Sequence, residues 1–106
     1  MNTITVCGNA SEPKLRYTQS GQAVASFAVF VKRKNKDGEM ESTPVNVVAW
    51  GEMAENITAN VQKGDRVLVS GRLQDSSYTD KEGNERKGVE LVADEAGVSL
   101  RWSRNA

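Results

Sequence analysis

At 106 residues, with 38% hydrophobic and 26% charged residues, the chain has the length for one domain and not for a second core. Its 14 basic residues balance 14 acidic ones, so any affinity for a polyanion depends on basic residues sharing a face. With no histidine and a single cysteine, Cys7, it cannot form a Ser-His-Asp triad, a histidine-based metal site, an internal disulfide or a Cys-based zinc cluster.

The chain opens with Met1 to Thr5, which lacks the basic segment and apolar core of a signal peptide. No run approaches the ~18 apolar residues of a membrane span. With the lone cysteine, this predicts a cytoplasmic protein with no membrane partner. Thr3-Ile4-Thr5-Val6-Cys7 alternates polar and apolar residues and predicts a strand that Gly8 and Asn9 end. Ala10 to Gln22, with Pro13 and Ser20-Gly21, predicts a loop holding a short strand at Leu15-Arg16-Tyr17.

Ala23 to Lys34 predicts a long strand. Alternation puts Ala25, Phe27, Val29 and Val31 in the core, and Ser26, Ala28, Phe30, Lys32 and Lys34 on an open face. Asn35 to Glu39 predicts a hairpin turn built on Asp37-Gly38. Pro44 opens the third strand, which ends at Trp50; Val45, Val47 and Ala49 point one way, and Asn46, Val48 and Trp50 the other. Glu52 to Val61 predicts a helix with Met53, Ile57 and Val61 as its apolar stripe and Lys63-Gly64 as its stop. The acidic Glu52 and Glu55 suit its N-terminal end. A fourth strand runs from Arg66 to about Ser77, and Asp80 to Asn84 turns around Gly83. A fifth runs from Gly88 to Ala93, with an extension through Val98-Ser99-Leu100. Five strands, with one short helix between the third and fourth, predict an all-β OB-fold, a five-stranded Greek-key barrel filling residues 1–106 as a single domain.

Three segments carry a family resemblance. The first is Val6-Cys7-Gly8-Asn9 with Pro13-Lys14-Leu15-Arg16-Tyr17 and Ser20 through Phe27. The second is Val47-Val48-Ala49-Trp50-Gly51 with Ala54-Glu55. The third is Lys63-Gly64-Asp65-Arg66-Val67 through Gly71-Arg72-Leu73, then Tyr78-Thr79-Asp80 and Gly83. Together, in this order and across nearly the whole chain, they resemble the bacterial single-stranded DNA-binding protein family. The resemblance implies an OB-fold homotetramer, or a dimer, that wraps single-stranded DNA in replication, repair and recombination and needs no cofactor. It puts Trp50 and Tyr78 where the family stacks bases. Arg16 and Lys63 match its basic positions, as do Lys32, Arg33, Lys34 and Arg72 more loosely. Phe30 joins this set because alternation puts it beside two lysines.

The chain also departs from the family pattern. Pro44 stands where many members have tryptophan, Glu52 where many have a basic residue, and Gln74 and Ser76 where a basic pair is common. These changes imply weaker binding. The chain ends Arg101-Trp102-Ser103-Arg104-Asn105-Ala106, without the acidic tip through which the family recruits replication and repair enzymes. Two readings follow: a short paralogue that coats DNA without such partners, or a piece of a longer chain.

Exposed aromatics suit this work because every base has a π-face, and Lys and Arg suit phosphates because binding them releases counterions. Competing structural roles are packing for Trp50, core for Phe27, the barrel end or an interface for Tyr17, and a solvated hairpin tip for Lys32 to Lys36. Cys7 reads as a small packing residue, and Trp102 as a contact to a neighbouring subunit. An enzyme is disfavoured, because carboxylates such as Glu39 and Glu41 lie in a turn-rich segment with no sign of a pocket. The alternative function is a primosome-type OB protein-interaction module with weak single-strand binding. RNA is a third ligand that the same platform would take.

Overall fold

The computed structural model describes residues 2–101. Eight strands and one helix follow the order β1 (Ile4–Ala10), β2 (Lys14–Tyr17), β3 (Ala23–Lys34), β4 (Met40–Trp50), α1 (Glu52–Asn60), β5 (Arg66–Asp75), β6 (Tyr78–Thr79), β7 (Glu85–Arg86) and β8 (Val89–Val98). The main sheet runs β1-β5-β8-β4-β3-β2, and β1 also pairs with β3. That last pairing closes β1, β5, β8, β4 and β3 into a five-stranded barrel, with β2 added on the outer edge of β3. The β4–β8 contact is parallel and the others are antiparallel. This is the OB-fold expected from the order of elements, with the helix between the third and fourth barrel strands.

Closure depends on a residue that the sequence pattern misassigns. Gly8 and Asn9 do not end the first strand; β1 continues to Ala10 and gains β3 as a second neighbour, pairing Asn9 with Phe30 and Ala10 with Val29 while Asn9 still pairs with Arg66 of β5. A Cβ on Gly8 would collide with the Phe30 carbonyl oxygen, so only glycine lets the two backbones approach. Gly71 plays the same part beside a bulge in the β5–β8 ladder, where an added Cβ would collide with the carbonyl of Val92.

The core follows the predicted alternation. Ala25, Phe27 and Val29 of β3 point inward with Val47 and Ala49 of β4, Val67 and Val69 of β5, and Leu91 of β8. Ala54 and Ile57 of α1 join this cluster and cover one end of the barrel. Met53 and Val61 pack on its margin, so the expected apolar stripe is present, although the helix ends at Asn60. No polar or charged residue is buried among the described residues.

Other boundaries move for identifiable reasons. The third barrel strand begins at Met40, four residues before Pro44, because β3 and β4 extend past the barrel as a two-stranded arm. Pro44 is tolerated inside it because β8 pairs β4 only at Val47 and Val48, leaving that stretch of β4 with β3 alone. Gly64 does not stop the helix. Val61 caps it in extended conformation, and Gly64 belongs to the next turn, where its N–H donates to the Ala10 carbonyl. The fourth barrel strand stops at Asp75 rather than Ser77, and a separate β6–β7 hairpin follows. The last strand runs Val89–Val98, so the extension past Ala93 is real but ends before Ser99. Trp102 lies outside the described residues.

Candidate nucleic-acid interface

Side chains of opposite parity to the core line the outer face of the barrel, and the ladder register arranges them in rows. At one end, Trp50 pairs with Val24, and Val24 with Arg16. In the next row, Lys14, Ser26 and Val48 stand side by side, and Val48 continues to Val92 and Arg72. Farther along β3, Pro44 pairs with Phe30, Phe30 with Asn9, and Asn9 with Arg66. Beyond them, on the arm, come Lys32 opposite Ser42 and Lys34 opposite Met40. From Val24 to Lys34 this line is about 33 Å long at ~3.3 Å per strand residue.

Trp50 ends its strand because the chain turns immediately after it. Gly51 adopts a left-handed φ of 69°, and its N–H donates to the Ala23 carbonyl at 2.8 Å. The indole is therefore anchored through a rigid strand end, yet the residue stays 41% exposed. Beneath it, Val24, Val48 and Val92 form a small apolar cluster of their own on the outer side of the wall. Phe30 is half-buried and lines a polar groove of about 280 Å³ with Lys32, Arg66, Cys7, Gly8 and Asn9.

The structure separates the expected basic residues. Lys32 and Lys34 share the Phe30 face, whereas Arg33 has the opposite parity and forms an ion pair with Glu41 across the arm at 3.6 Å. Arg72 is on the outer face, but Asp94 holds its guanidinium at 3.3 Å. Arg16 is exposed in the Trp50 row, on the edge strand β2. Lys63 is exposed on the turn after α1, next to the Gly64 that contacts Ala10, so it approaches the Asn9–Phe30 row rather than Trp50. Tyr78 is 62% exposed on the β6–β7 hairpin, opposite Arg86. That hairpin leaves the barrel where Gln74 pairs with Glu90 and Asp75 with Val89.

Two carboxylates brace the hairpin. Asp80 accepts hydrogen bonds from the Asn84 N–H, from Arg86 Nε and from the Glu82 N–H, which together hold its carboxyl below the ordinary aspartate value. The Ser77 hydroxyl and N–H lower Asp75 in the same way. Tyr17, by contrast, reaches the helix, its hydroxyl donating to Glu55 at 3.4 Å, while the residue stays 58% exposed.

Arg66 is the residue that sequence reasoning missed. Alternation along Arg66-Val67-Leu68-Val69 carried the signal, since Val67 and Val69 are core. Asn46 and Glu90, which line one groove of the outer face, meet only through the parallel β4–β8 pairing, and no local pattern encodes that.

The chain matches the model of the Single-strand binding protein family over residues 1–99. It is 44% identical to the single-stranded DNA-binding protein of Paenarthrobacter aurescens, in an alignment covering 95% of this chain and 63% of that protein. It is 44% identical to single-stranded DNA-binding protein 2 of Streptomyces coelicolor, covering 92% and 53%, and 43% identical to the single-stranded DNA-binding protein of Mycolicibacterium smegmatis, covering 95% and 66%. The chain thus spans between about half and two thirds of the length of these relatives.

Proposed function

The chain belongs to the single-strand binding protein family, and on that premise we propose that it binds single-stranded DNA by base stacking and phosphate contact, in replication, repair or recombination. The observation that carries this reading is the single outer face on which Trp50, Phe30, Lys32, Lys34 and Arg66 follow one another in ladder register. Trp50 and Phe30 supply platforms for bases; Lys32, Lys34, Arg66, Arg16 and Lys63 supply charge for phosphates. Tyr78 extends the platform from its hairpin. In duplex DNA the base faces are occupied by neighbouring bases, so such a platform selects single strands. Arg33 and Arg72 contribute less, because each already faces a carboxylate. The role is binding, not catalysis, and it belongs in the cytoplasm.

A homo-oligomer, a tetramer or a dimer, completes the reading. In one chain β5 pairs with β1 along one edge, while β3 reaches only Asn9 and Ala10 on the other. The backbone from Ile4 to Gly8 therefore presents an edge that a second copy can cover.

Fluorescence titration of a Trp102→Phe protein with oligo-dT tests the proposal, since Trp50 is then the sole indole. Quenching that weakens with salt and survives an excess of duplex is the expected result. Absence of both quenching and binding would favour the protein-interaction module instead, and light scattering of the same samples reads the oligomeric state.

A further inference from the structure

The outer face between Trp50 and Phe30 is not flat. Ser11, Glu12, Lys14, Ser26, Asn46 and Glu90 line an open groove of about 390 Å³ there. Asn46 and Ser26 sit on strands β4 and β3, between the Trp50 row and the Phe30 row. Glu90 comes from β8, and Glu12 from the segment between β1 and β2.

Two carboxylates against one lysine make this the wrong place for a phosphate, because like charges repel most strongly where water is partly displaced. A strand running from Trp50 to Phe30 therefore crosses the groove with its phosphates outside and its base edges turned in. The geometry at Glu90 selects among those edges. Its Oε1 accepts a hydrogen bond from Gln74 Nε2 at 2.8 Å, which fixes the carboxylate and leaves the other oxygen as an acceptor. An ionised carboxylate cannot donate. Cytosine offers an exocyclic amino group at N4, whereas thymine presents a carbonyl at the same position.

We infer that this groove is a base-edge window in which Glu90, held by Gln74, accepts a hydrogen bond from the amino group of cytosine and disfavours thymine. The inference rests on the single-stranded DNA reading above and adds a modest preference to binding that is otherwise indifferent to sequence.

The test compares oligo-dC and oligo-dT of equal length on the unaltered protein and on Glu90→Gln, at one salt concentration. Glutamine can accept from cytosine and donate to thymine, so it removes the discrimination while preserving the shape. The dC-to-dT affinity ratio is expected to fall by about fivefold or more in the variant. Loss of negative charge alone raises both affinities together and cancels in the ratio. Intact binding with an unchanged ratio overturns the window and leaves the DNA reading standing. Failure of the unaltered protein to bind either oligomer overturns the DNA reading, and the window with it.

Discussion

β3 and β4 carry two regions with opposite demands. Inward, Ala25, Phe27, Val29, Val47 and Ala49 are fully or almost fully buried and meet the other barrel strands across a wall that closes only where glycine allows. Outward, the same two strands present Trp50, Phe30, Lys32 and Lys34 to solvent or half to solvent. A change in the wall is paid in stability, because interiors are close-packed and backbone carbonyls cannot retreat. A change on the outer face alters what the protein can hold and leaves the barrel standing. Neighbouring positions on one strand thus answer to different selection, and the two regions separate experimentally by measuring stability and affinity on the same variants.

The largest effect is expected at Gly71→Ala. The new Cβ meets the Val92 carbonyl, which is backbone in the β5–β8 ladder, so the strands must part. A loss of about 3 kcal/mol or more is expected in urea denaturation, with any loss of DNA binding explained by unfolding. A variant that unfolds at the wild-type midpoint would show that the wall yields, and the contrast between the two regions would collapse. Trp50→Ala is the opposite case. Affinity for single-stranded DNA is expected to drop by about 1–3 kcal/mol, with a smaller loss of stability than in Gly71→Ala, because the residue keeps 41% of its surface in solvent and no backbone has to move. Unaltered affinity in the folded variant removes Trp50 from the interface.

The contrast also explains what could be read from the sequence. The inward positions were legible because alternation is local: Ala25, Phe27 and Val29 declare themselves within five residues. The helix stripe at Met53 and Ile57 was legible for the same reason. Gly8 is not legible in the sequence, because its meaning lies in a carbonyl on β3, more than twenty residues away. Pro44 looked like a strand start because nothing nearby reveals that β4 has lost its second neighbour at that point. On the outer face, alternation groups Phe30 with Lys32 and Lys34, whereas Arg33 enters only through the looser family match, and its parity sends it to Glu41. Charge balance cannot be seen one residue at a time: the folded side chains bring Arg72 to Asp94, and the register puts Arg66 in the Phe30 row.

The split between Lys32 and Arg33 gives a smaller and sharper test. For each phosphate of a single strand that a variant no longer neutralises, the slope of log affinity against log salt becomes shallower by about 0.7. Lys32→Ala is expected to show that reduction. Arg33→Ala is expected to show less, because its guanidinium already holds Glu41 on the other face of the arm. Equal slopes for the two variants would mean that the arm twists enough to bring both cations to the DNA, and the face assignment would have to be abandoned.

The smallest effect concerns the β6–β7 hairpin that carries Tyr78, which belongs to neither region. Its turn is held by Asp80, whose carboxylate accepts from the Asn84 N–H and from Arg86 at 2.9 and 2.8 Å. These bonds favour the ionised form, so the carboxyl titrates below the ordinary aspartate value of about 3.9. The sign follows from linkage: a group depressed on folding contributes its full stabilisation above the unfolded value and loses it as pH falls through the folded one. The hairpin should therefore keep its order at neutral pH and loosen only in acid. The Asn84 amide resonance reports this directly, with an expected midpoint below about 3.9. In Asp80→Asn that transition should vanish, and the hairpin should be looser at every pH because a neutral amide accepts more weakly from Arg86. A midpoint at or above the ordinary value would mean that the turn is held by its backbone bonds alone, among them the Asp80 N–H to Asn84 carbonyl bond at 2.9 Å. Tyr78 would then owe its position to the ladder opposite Arg86 and Glu85, not to the charge beneath it.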